Sequence, residues 1–87
     1  MELAEGLWVR VAPHAFWPDG AIGTVRPYPG FVADLCGGAD GCTRVFQGAR
    51  GPITMVWVSF NEPCRDGEGD GPYREGEVMA EYLTPLE

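Results

Sequence analysis

The pattern with the most chemistry in it is an acidic stretch in the last third of the chain. Carboxylates alternate at Asp66, Glu68 and Asp70, then come Gly71 and, after five more residues, Glu77. This spacing matches a calcium-binding loop at every position but one. In such a loop, oxygens from positions 1, 3, 5 and 12 converge on a hard cation, and the glycine supplies a sharp turn. The spacing therefore predicts a divalent-cation site with Asp66, Glu68, Asp70 and Glu77 as its ligands.

Two features of the same stretch favour a plainer interpretation. The third position is Glu68 where Asp or Asn is usual, and Arg74 brings a positive charge to the ninth position. A solvated acidic loop that keeps the protein soluble explains the composition equally well. Cation binding therefore remains the alternative function, and we predict no resident cofactor.

Three cysteines and one histidine form the other set of candidate ligands: Cys36, Cys42, Cys64 and His14. Together they have the composition of a zinc site, but no pair has the close spacing of a zinc knuckle. A reversible disulfide between Cys36 and Cys42 is an alternative, since glycines between them let the sulfurs approach. The odd count argues against a closed set of disulfides and predicts a reducing, cytoplasmic location.

Catalytic motifs are missing from the sequence. The single serine, Ser59, lies in a strand-like segment, and neither a nucleophile elbow nor a glycine-rich phosphate loop occurs. His14 sits in a proline-bounded loop with no evident catalytic partner. We therefore predict that the protein is not an enzyme.

Aromatic residues suggest a binding role instead. Phe16 and Trp17 are adjacent in a loop near Asp19, and Tyr28 lies between two prolines. Exposed aromatic side chains close to an acid suit a proline-rich or arginine-bearing segment of another protein. The alternative is that these rings fill the core, as Trp57 and Phe60 are expected to do. We predict an unidentified protein partner held by Phe16, Trp17, Asp19 and Tyr28.

The charge of the chain narrows the classes of partner. Thirteen acidic residues against six arginines give a net charge of −7, of which −6 follows residue 60. A field of that sign repels phosphate backbones and anionic lipid headgroups, so nucleic acid and membrane surfaces are excluded as expected partners. Glu2 and Glu5 stand where a secretory leader needs positive charge, which again predicts a cytoplasmic protein.

The elements that must position these residues are short. With 87 residues the chain is expected to form one domain, and 13 glycines and 8 prolines leave little room for long helices. Alternation of apolar residues and turn signals predict strands at 7–12, 22–25, 31–35 and 53–60, an acidic loop at 61–76, a helical turn at 78–82 and a strand at 83–86, while 43–47 is either a strand or an irregular segment. The fold class is therefore all-β, and closure into a small barrel is the economical way to hide its sheet edges.

Two segments also carry a resemblance. Residues 7–25, LWVRVAPHAFWPDGAIGTV, are similar to the first strand, loop and turn of SH3-like barrels, and residues 73–86, YREGEVMAEYLTPL, resemble the helical turn and closing strand of that fold. The resemblance implies five or six short antiparallel strands across residues 1–87. Among families with this fold, it points to accessory chains such as the ferredoxin-thioredoxin reductase variable subunit and the nitrile hydratase β-subunit. KOW-type ribosomal modules share the fold but carry basic residues for RNA that this chain lacks. The expected function is a non-catalytic protein-interaction or accessory module.

Overall fold

The computed structural model describes residues 3–12, 17–18, 20–35, 37–39 and 41–86. About half of this described part, 49%, is strand. Its elements in chain order are β1 (Trp8–Val11), β2 (Ile22–Val25), α1 (Gly30–Leu35), β3 (Thr43–Gly48), β4 (Gly51–Cys64), β5 (Tyr73–Met79), a 3₁₀ turn (Ala80–Tyr82) and β6 (Leu83–Pro85). The predicted all-β fold, with one helical turn before the last strand, is confirmed.

The strands form one antiparallel sheet that curls into a half-barrel. Their order is β3-β4-β2-β1-β6, and β5 pairs with the other edge of β4. The fourteen-residue β4 makes this possible, because it pairs with β3 along its first half and with β2 at 58–60. The last strand returns to the first, with Leu83 opposite Val11. This is the small SH3-like barrel expected from the sequence.

The core is built from alternate positions of the strands. Val56, Val58 and Phe60 of β4 point inward, as strand geometry requires of every second residue. They pack with inward residues of the other strands and with one loop residue: Val9, Val11, Val25, Val78, Leu83 and Trp17. Most of these side chains are β-branched valines, which pack well on a pleated surface.

A glycine lets two strands approach closely inside this core. A Cβ atom on Gly23 of β2 would lie 2.5 Å from Cγ1 of Val58 and 2.6 Å from the backbone oxygen of Ser59. Any side chain at this position would therefore push β2 off β4.

The segment 31–35 is a helix, so the strand predicted there is wrong. Its phenylalanine and valine suggested a strand, but the residues at its two ends decide the outcome. Pro29 accepts the first helical hydrogen bond, from the amide of Ala33 at 3.0 Å. At the other end Gly37 has a φ of +81°, and the amide of Gly38 donates to the carbonyl of Ala33 at 2.7 Å. A proline at the start and a left-handed glycine at the end are signals for helix boundaries.

The acidic loop is shorter than predicted, because β4 continues to Cys64 and β5 already begins at Tyr73. These two residues pair across a register shift between Ser59 and Cys64. The loop itself is therefore 65–72. At the C-terminus the helical turn spans 80–82, narrower than the predicted 78–82. None of the helices in the described ranges has the length and apolar character needed to cross a membrane.

Candidate functional site

An apolar cavity with a volume of about 410 Å³ opens beside β3, β4 and β5. Its walls are mostly aromatic and thioether side chains: Trp17, Phe46, Met55, Trp57, Met79 and Tyr82. Val78 and Glu77 complete the lining. Large apolar side chains around an open concavity are typical of a binding site.

The register of the sheet brings most of these residues together. Met55 of β4 lies opposite Met79 of β5, and Trp57 lies opposite Glu77. On the other side of β4, Arg44 of β3 is also opposite Met55. Paired residues share a face of the sheet, so one wall of the cavity is a cross-strand patch of three strands.

Glu77 is the charged residue of the cavity, and its carboxylate is held from two sides. Arg44 forms an ion pair with it, donating from Nε to Oε1 and from Nη2 to Oε2 at 3.1 Å. The hydroxyl of Tyr28 donates to Oε1 at 2.6 Å. Burial favours the neutral acid, but the hydrogen bonds from Arg44 and Tyr28 and the charge of Arg44 outweigh it and lower the pKa of Glu77. The group is therefore a carboxylate at neutral pH.

Trp17 is buried rather than exposed as expected, and its part in partner binding stays a prediction. Only 8% of the residue is exposed. Its ring packs on Phe60 at 4.9 Å between centroids and meets Tyr73 edge-on at 5.8 Å. Its indole N–H donates to the backbone oxygen of Glu77 at 2.6 Å. The physical reason is Gly76, because the absence of a side chain there leaves a slot that the indole fills.

The other predicted partner-binding residues have different outcomes. Tyr28 is 9% exposed, and the centre of its ring lies 5.3 Å from that of Trp57. It therefore packs behind Trp57, which lines the cavity. Phe16 and Asp19 lie outside the described residues. The aromatic loop thus contributes to the site through a buried side chain that forms part of the cavity wall.

The four carboxylates of the predicted cation site do not converge. Oδ1 of Asp66 accepts the backbone amides of Glu68 at 2.9 Å and Asp70 at 3.0 Å, which closes the loop on itself. Glu77 lies four residues into β5, about 13 Å along an extended strand from Tyr73. Within the described ranges, no three histidine, cysteine or acidic side chains form a group that could hold a metal ion.

The cysteines are placed only in part. Cys42 and Cys64 are free thiols, while Cys36 and His14 lie outside the described residues. Burial raises the pKa of Cys42, and Glu5 raises it further. Burial, followed by Glu62, raises the pKa of Cys64, whose thiol donates to the backbone oxygen of Glu62 at 3.1 Å. Both are therefore poor nucleophiles at neutral pH.

Sequence reasoning missed most of the cavity wall. Phe46, Met55, Met79 and Tyr82 are single apolar residues in four different segments, and none belongs to a recognisable motif. Alternation within β4 indicates that Met55 and Trp57 share a face, but only the strand register shows that Met79 and Arg44 join them. Comparison of the chain with protein-family models, curated proteins and solved structures gives no match.

Proposed function

We propose that the protein is a non-catalytic interaction or accessory module that binds another protein at this cavity. The observation that carries the proposal is the composition of the walls, where Trp57, Phe46 and two methionines surround an open volume of about 410 Å³. Aromatic and methionine side chains are enriched at the centres of protein interfaces. Phe46 remains 39% exposed, which offers contact area to a partner.

The state of Glu77 supports binding over catalysis. A general acid must hold a proton near neutral pH, yet Arg44 and Tyr28 keep this group ionised and hydrogen-bonded. A general base must be accessible to a substrate proton, and here the carboxylate is occupied by two donors. The geometry therefore suits a structural carboxylate that fixes the walls of a binding site.

Charges beside the cavity favour a partner segment with a basic residue. Glu75 is exposed and accepts the indole N–H of Trp57 at 3.1 Å, so a carboxylate sits at the edge of that ring. Glu81 is exposed on the 3₁₀ turn beside Met79. Acids at the rim of an apolar site steer a basic segment toward it. The same charges disfavour nucleic acid and anionic membranes as partners. We also propose a cytoplasmic location. One form of the proposed role is an accessory chain of a larger enzyme.

Quantitative affinity capture from native lysate tests the proposal. Met79→Ala shortens a cavity wall outside the buried core, so a specific partner should be captured at least ten-fold less well than by the wild-type chain. Phe31→Ala is the matched control, because Phe31 is 71% exposed on α1 and does not line the cavity. Equal capture by Met79→Ala and wild type, or equal losses in both variants, would contradict binding at the cavity.

A further inference from the structure

The outer edge of β3 pairs with no other strand of the described sheet. In the described part of the sheet this strand pairs with β4 and ends the strand order. The amide of Trp57 donates to the carbonyl of Cys42 at 3.0 Å, so even-numbered residues of this region hydrogen-bond toward β4. Because hydrogen bonding alternates along a strand, the backbone N–H and C=O groups of Val45 and Gln47 point away from β4, in the plane of the sheet. Val45 is 59% exposed and Gln47 is exposed as well.

This edge lacks the protection that the other edges of the described sheet possess. The edge strand β6 has three residues and contains Pro85. The outer backbone of β5 is covered where the indole of Trp17 donates to the carbonyl of Glu77. By contrast, β3 is a regular six-residue strand without proline, and its one charged residue, Arg44, is engaged with Glu77. Short strands, prolines and exposed charges are the usual means of preventing edge pairing.

The pattern of β3 fits a second copy of the same strand. If two copies pair antiparallel about Val45, each Val45 faces its equivalent, and Thr43 lies opposite Gln47 of the other copy. Arg44 then lies opposite Phe46, and within one chain the Arg44 guanidinium already sits 5.1 Å from the centre of the Phe46 ring. Apolar therefore meets apolar, polar meets polar, and a cation meets an aromatic face.

The charge distribution also favours a second copy of this chain as the partner. Residues 41–60 hold two arginines and no acidic residue, in a chain whose net charge is −7. Two copies that meet through the segment after residue 60 would oppose acidic surfaces, whereas residues 41–60, which include β3, carry no acidic residue. A two-fold contact is also self-complementary, as the commonest homodimers are.

We propose that β3 pairs with β3 of a second copy of this chain, in an antiparallel register centred on Val45. The contact is a single strand pair, so it belongs to the small, weak class of interfaces. Phe46 belongs to both this contact and the cavity wall, but dimerisation and partner capture are measured in separate assays.

Sedimentation equilibrium at about 10 µM to 1 mM, the range suited to weak interfaces, tests the proposal. The wild-type mass should rise to twice that of the monomer. Val45→Lys and Val45→Glu each place like charges opposite one another across the two-fold axis, so each should weaken dimerisation at least ten-fold. An equimolar mixture of the two variants should restore the dimer, because the opposed charges then attract. Phe31→Lys, a change at another exposed apolar position, on α1, should leave dimerisation unchanged.

The outcomes that would overturn the proposal are equally specific. A wild-type chain that stays monomeric at the highest concentration rules out the contact. Dimers that persist in both single variants place the interface elsewhere. Failure of the mixture to associate, with both variants folded by circular dichroism, rejects the register centred on Val45. Slow solvent exchange of the Val45 and Gln47 amides in the dimer provides an independent check.

Discussion

The slot at Gly76 gives the sharpest test of how the barrel and the cavity are built. A Cβ atom on Gly76 would lie 2.8 Å from Cη2 and 2.9 Å from Cε2 of Trp17, and closer still to Cζ2. Real side chains do not tolerate such contacts, so Gly76→Ala must displace the indole. The displacement stretches the hydrogen bond from the indole to the Glu77 carbonyl and opens the packing against Phe60.

The cost of this substitution follows from two losses. Overpacking a well-filled core costs about 1–3 kcal/mol. A weakened hydrogen bond of a buried donor adds about 1 kcal/mol. We therefore expect Gly76→Ala to lower the free energy of unfolding by about 3 kcal/mol, measured by urea denaturation with circular dichroism and tryptophan fluorescence. Gly30→Ala is the matched control, because a Cβ there meets nothing within 4 Å, and its effect should be within about 0.5 kcal/mol.

A double-mutant cycle separates this mechanism from a general effect of losing a glycine. Trp17→Leu removes the ring atoms that the new methyl group would meet. In the Trp17→Leu background, Gly76→Ala should therefore cost less than about 1 kcal/mol, giving a coupling of about 2 kcal/mol. If Gly76→Ala costs the same in both backgrounds, or almost nothing in the wild type, the reasoning about the slot is refuted.

Three further predictions concern the ion pair, the close approach of β2 to β4 and the acidic loop. Folding lowers the pKa of Glu77, so the stabilisation by its carboxylate is present above the unfolded pKa near 4.5 and is lost as the pH falls through the folded pKa. Glu77→Gln should lower the free energy of unfolding by about 1–2 kcal/mol at pH 7. This destabilisation should shrink steadily in urea titrations carried from pH 5 to pH 2. A destabilisation that is constant over this range would contradict the ion pair with Arg44. Gly23→Ala should lower the free energy of unfolding by about 3 kcal/mol or prevent folding in the same assay, since the new methyl group meets Val58 and fixed backbone. A near-neutral effect would disprove the close approach of β2 to β4. Millimolar Ca²⁺ should leave the amide resonances of 66–77 almost unshifted, and saturable shifts that Mg²⁺ does not produce would restore the cation site.

The sequence predicts the strands of this fold well where their signals are local. Alternation at 7–12 and the β-branched, aromatic run at 53–60 specify their own conformation, and the structure has β1 and β4 there. The helical turn before the last strand is also local, since apolar pairs four residues apart surround it. The strand prediction at 31–35 is wrong because the interior residues favour a strand, while Pro29 before the segment and Gly37 and Gly38 after it set the ends of a helix.

The candidate site depends on tertiary contacts that no local pattern encodes. The sequence singled out Trp17 and Tyr28 as candidate binding residues but left open whether they lie on the surface or in the core. Their burial depends on Gly76 and Glu77, about fifty to sixty residues later in the chain. The calcium pattern likewise does not anticipate the strand, β5, in which its last ligand position lies.

Glu77 explains how the half-barrel holds the walls of this cavity in place. Its backbone oxygen binds the indole of Trp17 from the first long loop, while its carboxylate binds Tyr28 after β2 and Arg44 of β3. One residue of β5 therefore fixes three segments that are distant in sequence, and Trp17, Tyr28 and Arg44 all lie in or behind the cavity wall. A partner that enters this cavity meets side chains whose rotamers are already set, so little ordering entropy is lost on binding. Loss of the Glu77 carboxylate should accordingly weaken capture by loosening the cavity walls around Phe46 and Trp57.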